Sequence, residues 1–230
     1  MTITKKDILE TIRKDLKLSE SVIEESLIAQ PKSFDLTTEL LSNATKQNHI
    51  ELYDQYIADF NQISILLDSA NRSESNSNGS TFRSLKIDET YNLNSAYLHE
   101  LYFRNISDLH SQIPMDSLSY MRLSRDFGTF DAWQQDFIAC CLASRCGWAV
   151  TYYNTYTQTL MNCVIDLHSI NVPIGAYPVI VMDVWQHAYY RDYLKDVKSY
   201  VFGMMKQLNW NVIEKRIRKA DEIGKVVIGG

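Results

Sequence analysis

The sequence predicts an α+β fold, in which long antiparallel N-terminal helices form a helical hairpin and a C-terminal α/β domain contains a small three-stranded antiparallel sheet. Three observations support it. Apolar residues recur at helical spacing over most of the chain before residue 147. Runs of β-branched and aromatic residues are confined to residues 148–185. The remainder is again helical in pattern, and an order of helices, strands and helices is typical of α+β proteins.

Residues 1–34 are predicted to form a helical N-terminal extension. The segment KKDILETIRKDLK has apolar residues at helical spacing. The run Ser21–Glu24 matches a capping box that would begin a second short helix, and Pro31 would end it. We interpret this extension as an appendage that packs on the main domain or on a partner.

A helical-hairpin domain is predicted over residues 35–114. The helical pattern from Leu36 to Leu67 is long for one helix, which leaves either a bent helix or a helix pair. The polar segment Asp68–Ser84 is rich in serine and predicts a mobile loop. A further helix is expected from Asn94 to Leu109, ending before a proline.

The C-terminal α+β domain is predicted over residues 115–230. Its first helical stretch is broken at Phe127-Gly128. The runs Trp148–Tyr153 and Thr159–Leu167 flank a polar turn and predict an antiparallel hairpin. The segment Tyr177–Trp185 supplies a third strand, and helices follow it.

Composition excludes some classes of function. A net charge of -5 argues against a large nucleic-acid interface. No apolar run reaches transmembrane length, and the N-terminus has no signal-peptide apolar core, so we expect a cytoplasmic protein without a membrane partner.

Histidines are the residues that point to chemistry. His187 follows Asp183 by four residues, while His49 and His99 each lie within a predicted helix among aromatic residues. Two packed helices can direct one histidine each to a shared point, and three imidazoles with one carboxylate suit iron, manganese or zinc. The residues alone leave an alternative, since these histidines could be unrelated structural side chains. A zinc hydrolase is disfavoured because no H-E-x-x-H motif occurs.

Several motifs resemble one family. DVWQHAYY, at residues 183–190, agrees at seven of eight positions with Asp-x-Trp-Glu-His-Ala-Tyr-Tyr, the signature of iron/manganese superoxide dismutases. RDFGTFDAWQQDF (Arg125–Phe137), CGWAV (Cys146–Val150) and YVFGMMKQLNWNVIEKRI (Tyr200–Ile217) are similar to other segments of that family. The resemblance covers roughly residues 36–218 and identifies the chain as a divergent member.

The resemblance implies four metal ligands. Asp183 and His187 occupy the ligand positions of the signature, and His99 matches the family histidine in LHELYFRNI. SNATKQNH resembles the run that carries the first ligand, which makes His49 that ligand. A second register, based on YIADFN, places Asn48 there instead. We expect His49, because histidine is the better ligand.

The family likeness also implies an activity. It predicts superoxide disproportionation at one iron or manganese ion per chain, in a homodimer. His168 would form hydrogen bonds with solvent in the metal pocket, Tyr56 would be the gateway tyrosine, and Tyr190 would be contributed by the partner subunit. Trp148 and Trp185 would line the cavity. Superoxide anion is the expected substrate.

The chain departs from the family at several positions. The signature glutamate is Gln186, the tryptophan four residues after the second histidine is Phe103, and the substrate-funnel arginine is Val197. These changes leave an alternative function, a non-catalytic structural or assembly module with the same fold. Retention of all four ligand candidates favours catalysis, because unpaired polar groups in a core are costly.

Overall fold

The structure, a computed structural model, describes residues 28–106 and 112–228. Within these ranges it contains seven helices and three strands: α1 (Asn43–Ser69), α2 (Thr81–Asn105), α3 (Leu118–Phe127), α4 (Phe130–Ala143), β1 (Gly147–Asn154), β2 (Thr159–Asp166), β3 (Ala176–Asp183), α5 (Gln186–Tyr193), α6 (Val197–Met205) and α7 (Trp210–Ile228). The predicted α+β class is confirmed. The short helices predicted before residue 28 lie outside the described residues. None of the described helices is long and apolar enough to cross a membrane.

The chain divides into two compact units. The described part of the first comprises residues 28–32 and Tyr53–Ala96. The second comprises Ser33–Leu52 together with residues 97–106 and 112–228. Each of the two long helices therefore contributes residues to both units.

The long helices differ in detail from the sequence prediction. α1 is one uninterrupted helix of 27 residues, since its sequence contains no glycine or proline. The predicted loop Asp68–Ser84 is shorter than expected, because α2 begins at Thr81 rather than near Asn94. The hydroxyl of Ser80 accepts a hydrogen bond from the Arg83 amide at 3.3 Å and so caps the new helix. The first turns of α2 are polar, and this concealed their helical character in the sequence.

The second unit is built around an antiparallel sheet with strand order β2-β1-β3. Strand β1 is central, and its first four residues after Gly147 are completely buried. Trp148 is paired with Ile165 on one side and with Asp183 on the other. Helices α3 and α4 pack on β2, while α7 packs on β3. The register thus fixes Trp148 directly beside the last residue of β3.

The predicted break between α3 and α4 is confirmed. Gly128 has φ of 86°, in the left-handed region that favours glycine. The Thr129 side chain then caps α4 by accepting a hydrogen bond from the Ala132 amide at 3.0 Å.

A buried arginine joins three elements of the second unit. Arg216 in α7 donates to the carbonyl of Leu101 in α2 at 2.9 Å and to the carbonyl of Val179 in β3 at 3.1 Å. It also donates to the Asn105 side chain, and Asn105 in turn donates to the carbonyl of Val181 at 3.2 Å. Burial lowers the pKa of Arg216 to about 10, so the group is still charged at neutral pH. These bonds hold the second half of α2 against β3.

Candidate metal centre

Four side chains from four different elements converge inside the second unit. His49 comes from α1, His99 from α2, Asp183 from the end of β3, and His187 from the first turn of α5. Asp183 Oδ2 lies 3.0 Å from His49 Nε2, 3.7 Å from His99 Nε2 and 3.1 Å from His187 Nε2. One ligand atom of each residue lies within 4.8 Å of all the others. This geometry allows all four atoms to contact one ion.

The junction between β3 and α5 sets the direction of two of these side chains. The Trp185 amide donates to Asp183 Oδ1 at 2.8 Å, a local turn that ends the strand and starts the helix. This bond occupies one carboxylate oxygen, Oδ1, and the other oxygen, Oδ2, faces the histidines. His187, four residues after Asp183, then returns to the same carboxylate on the first turn of α5.

Burial controls the charges of the centre. His49, His99 and Asp183 are at most 1% exposed, and the His187 side chain is 25% exposed. Burial lowers the pKa of His49, although Asp183 beside it acts in the opposite direction. Burial also opposes the charged form of Asp183, but His187 and His49 outweigh it and hold the pKa of that carboxyl far below its usual range. The centre therefore combines the buried negative charge of Asp183 with an imidazole, His49, whose neutral form is favoured by burial, and this combination favours binding of a cation.

The residues fit iron or manganese. Imidazole nitrogens and a carboxylate oxygen form a donor set that suits these metals as well as zinc. His99 Nε2 and His187 Nε2 lie 3.4 Å apart, a separation at which two lone pairs repel unless a cation or a hydrogen lies between them. The buried Nδ1 of His49 has no hydrogen-bond partner among the described residues. Three ring nitrogens thus point at Asp183 Oδ2, and the close pair of His99 and His187 nitrogens favours a cation at this shared point.

His168 lies close to this group of four side chains. It is fully buried and follows β2, and its Nδ1 accepts a hydrogen bond from Trp148 Nε1 at 2.9 Å. Its ring stacks on Trp185 at 4.8 Å and lies 6.0 Å from the ring of His99, measured between ring centroids. Burial lowers the pKa of His168 to about 4, so the ring is neutral at physiological pH.

Aromatic rings enclose the imidazoles. Trp148 lies edge-on to His99 with ring centroids 4.8 Å apart, and Trp185 stacks on His187 at 5.7 Å. Phe103, at the position where the resemblance implies tryptophan, is buried, and its ring centroid lies 5.0 Å from that of His49 and 5.9 Å from that of His99. This apolar surround strengthens electrostatic interactions inside the centre.

Sequence reasoning missed a pair of buried tyrosines beneath Asp183. The Tyr200 hydroxyl donates to the backbone carbonyl of Asp183 at 2.8 Å, and the hydroxyls of Tyr102 and Tyr200 are 2.7 Å apart. The sequence does contain a signal for Tyr102, because this residue is three positions after His99 and therefore lies on the same face of the helix.

A second missed feature is the anchor of α1. Asp192 in α5 accepts a hydrogen bond from the Ser42 amide at 2.9 Å, directly before the helix begins. Ser42 Oγ accepts from the Thr45 amide at 3.2 Å, and the Tyr193 hydroxyl donates to the Leu40 carbonyl at 3.1 Å. The start of α1, almost two turns before His49, is therefore tied to the helix that carries His187.

The remaining predicted site residues have the following positions. Asn48, the competing candidate for the first ligand, is exposed. Tyr56 belongs to the first unit, where its ring packs edge-on to Tyr91 at 6.3 Å. Tyr190 is 52% exposed on α5, and Gln186 is exposed at the first position of that helix.

Comparison with known proteins identifies a family and several relatives. The family described as iron/manganese superoxide dismutases, C-terminal domain, matches residues 116–216. A protein from Aquifex aeolicus named superoxide dismutase (Fe) is 34% identical over 184 residues, which cover 78% of this chain and 85% of that relative. A relative of the same name from Aquifex pyrophilus gives the same values. A Halobacterium salinarum protein named superoxide dismutase (Mn) 1 is 32% identical over 135 residues, covering 59% of this chain and 66% of that relative.

Proposed function

The chain belongs to the iron/manganese superoxide dismutase family, and from this premise we propose that it disproportionates superoxide at one iron or manganese ion per chain. Two superoxide anions and two protons yield one dioxygen and one hydrogen peroxide. The observation that supports this proposal is the convergence of three imidazoles, two of them buried, on Asp183 Oδ2. A bound iron or manganese ion supplies a one-electron couple that one superoxide reduces and a second reoxidises.

The chain's own residues have distinct roles in this proposal. His49, His99, His187 and Asp183 hold the ion, and Asp183 also contributes the negative charge that offsets it. His187 is the most exposed of the four, so superoxide approaches from its side. His168 positions a hydrogen bond at the metal pocket from behind the ligands.

Two further roles rest on sequence likeness. We propose Tyr56 as the gateway tyrosine and Tyr190 as the tyrosine contributed across a homodimer interface. The exposure of Tyr190 and Gln186 leaves both side chains accessible to a partner subunit. Glutamine at 186 retains a hydrogen-bond acceptor for the partner's ligand histidine but brings no charge.

Metal analysis with rapid kinetics tests the function. The purified full chain should contain close to one iron or manganese ion per chain and accelerate the decay of superoxide generated by pulse radiolysis. His187→Ala should lose both the metal and the acceleration. Tyr156→Phe, at a position 90% exposed in the turn after β1, is the control and should retain both.

A different result would support the alternative function, a non-catalytic structural or assembly module with the same fold. A folded chain that binds no metal, or activity that persists in His187→Ala, would exclude dismutation at this centre. Gln186 and Phe103 would then be substitutions that accompany the loss of catalysis in this member of the family.

A further inference from the structure

The loop between α1 and α2 contains the one Asn-Gly sequence of the chain, Asn78-Gly79. Both residues are exposed, and they lie in a turn between Asn76 and the start of α2 at Thr81. An asparagine side-chain amide can be attacked by the backbone nitrogen of the next residue. Glycine in that next position favours the attack, because it has no Cβ to obstruct the approach and its backbone moves easily. This turn therefore combines a reactive pair of residues with access to water.

The backbone at this pair has room to adopt the geometry of the attack. Gly79 has φ of 75°, in the left-handed region that favours glycine. A Cβ placed at Gly79 would have no atom within 4 Å apart from its own chain neighbours, so open space surrounds the peptide. Around the pair, the turn is closed by the Ser80 hydroxyl, which donates to the Asn76 carbonyl at 3.1 Å. This bond does not use the Gly79 nitrogen, which is therefore accessible as a nucleophile.

The side chains of the other two asparagines in this loop are held by hydrogen bonds. Asn71 Oδ1 accepts from the Ser73 amide at 3.1 Å and from the Ser73 hydroxyl at 2.7 Å. Asn76 Oδ1 accepts from the Asn78 amide at 2.8 Å, and Asn76 Nδ2 donates to the Glu74 carbonyl at 3.1 Å. The Asn78 side chain forms no hydrogen bond with any residue that the structure describes. Of the three, Asn78 alone can present its amide carbon to the next nitrogen without losing such a bond.

We propose that Asn78 is a site of spontaneous deamidation, at which the Gly79 backbone nitrogen attacks the carbonyl carbon of the Asn78 side chain. A bond forms between that nitrogen and Cγ, and the side-chain nitrogen leaves as ammonia with the proton of the Gly79 amide. The product is a cyclic succinimide. Water then opens the ring at either carbonyl and gives aspartate or isoaspartate at position 78. The net reaction consumes one water and releases one ammonia, and it requires neither the metal centre nor an oxidant.

Both products place a negative charge near the start of α2, which has no acidic residue in its first turn. A carboxylate near a helix N-terminus is favourable, because the helix dipole places partial positive charge there. The isoaspartate product also adds one carbon to the backbone between Asn76 and Ser80. That extra atom disturbs the 3.1 Å bond by which the Ser80 hydroxyl closes the turn. Aspartate at this position therefore supports the beginning of the helix, whereas isoaspartate loosens it.

Ageing of the purified full chain in mildly alkaline buffer tests the modification. Isoelectric focusing should show the formal net charge move from -5 by one further negative charge. Peptide mapping by tandem mass spectrometry should locate the change at Asn78, as a mixture of aspartate and isoaspartate. In oxygen-labelled water the modified residue should acquire one labelled oxygen. Conversion at Asn71 or Asn76 before Asn78, or an unchanged Asn78 after prolonged incubation, would overturn the proposal.

Two matched variants test the mechanism. In Gly79→Ala the new Cβ meets no other part of the chain, but it hinders the attacking nitrogen and disfavours the left-handed backbone, so conversion at Asn78 should become much slower. Asn78→Asp supplies one product directly and should migrate with the aged wild type on isoelectric focusing. Its Tm should not fall below that of the fresh wild type. A charge shift in Gly79→Ala at the wild-type rate, or one that persists during ageing of Asn78→Asp, contradicts attack by the Gly79 nitrogen on Asn78.

Discussion

Tyr102 and Tyr200 share a 2.7 Å hydrogen bond between fully buried hydroxyls, and Tyr200 extends it by donating to the backbone carbonyl of Asp183. Burial raises the pKa of both phenols far above the usual value, so both remain donors. Since Tyr200 donates to Asp183, the Tyr102 hydroxyl donates to Tyr200. This chain of bonds connects α2, which carries His99, to the end of β3, which carries Asp183.

We therefore expect Tyr200→Phe to weaken metal binding and to destabilise the protein by about 1–3 kcal/mol, because the Tyr102 hydroxyl loses its acceptor and the Asp183 carbonyl loses its donor. Denaturant unfolding and a competitive chelator titration measure the two effects. Tyr156→Phe at an exposed position is the control. Unchanged metal affinity in Tyr200→Phe would show that the tyrosine pair is structural only.

Asp192 should affect the first ligand through the start of α1. Asp192→Ala removes the acceptor of the Ser42 amide, so the first turn of α1 frays and His49 is less well ordered. We expect a loss of about 0.5–1.5 kcal/mol in the free energy of unfolding and a weaker affinity for the metal. Calorimetry and metal titration measure these quantities.

Asp54→Ala provides the matched control for Asp192→Ala. Asp54 is an exposed aspartate in α1, the helix whose start Asp192 anchors. If Asp54→Ala reduces metal affinity as much as Asp192→Ala does, the anchor has no specific role in positioning His49.

The sequence was informative where a ligand pair is local. Asp183 and His187 lie four residues apart across a strand–helix junction, and that spacing is visible without a structure. The first ligand was harder to locate, since two registers differing by one residue placed either His49 or Asn48 there. The structure buries His49 and exposes Asn48, because neighbouring residues on a helix point in directions about 100° apart.

Features formed by distant residues could not be predicted in the same way. The bond from Trp148 to His168 depends on the register of β1 and on a left-handed turn after β2. The beginning of α2 was missed because polar residues around Thr81 form no apolar stripe. The helical spacing of apolar residues reflects which face of a helix is buried. An exposed helical turn therefore shows little of this pattern in the sequence.

Acid stability should depend on Glu214. It accepts hydrogen bonds from the Ser119 amide at 2.8 Å and the Ser119 hydroxyl at 2.5 Å, and it forms an ion pair with Arg218 at 2.6 Å. Burial raises the pKa of Glu214, but the bonds from Ser119 and the ion pair with Arg218 together outweigh burial and lower the pKa overall. A carboxyl with a lowered pKa stabilises the fold above its unfolded-state pKa, and this contribution disappears as the pH falls through the folded-state pKa.

We expect Glu214→Gln to be less stable than wild type near pH 7, with the difference shrinking as the pH falls below the ordinary carboxyl range. Urea unfolding at a series of pH values measures this trend. Glu222→Gln, at an exposed position on the same helix, should follow wild type throughout. If the free energy of unfolding differed between Glu214→Gln and wild type by the same amount at every pH, protonation of Glu214 would not control acid stability.

Metal removal should destabilise the second unit, because the four proposed ligands come from α1, α2, β3 and α5, and an ion held by them would connect all four elements. A metal that binds only the folded chain adds about 2.7 kcal/mol when its free concentration is 100 times Kd. Thermal unfolding with and without a chelator should therefore give a lower Tm for the metal-free chain. His187→Ala alters the most exposed ligand, and Asp183→Asn keeps an acceptor for the Trp185 amide. Both variants should fold, and their Tm should respond much less to the chelator than that of the wild type. A wild-type Tm that is unaffected by metal would mean that the buried cluster is stable without an ion.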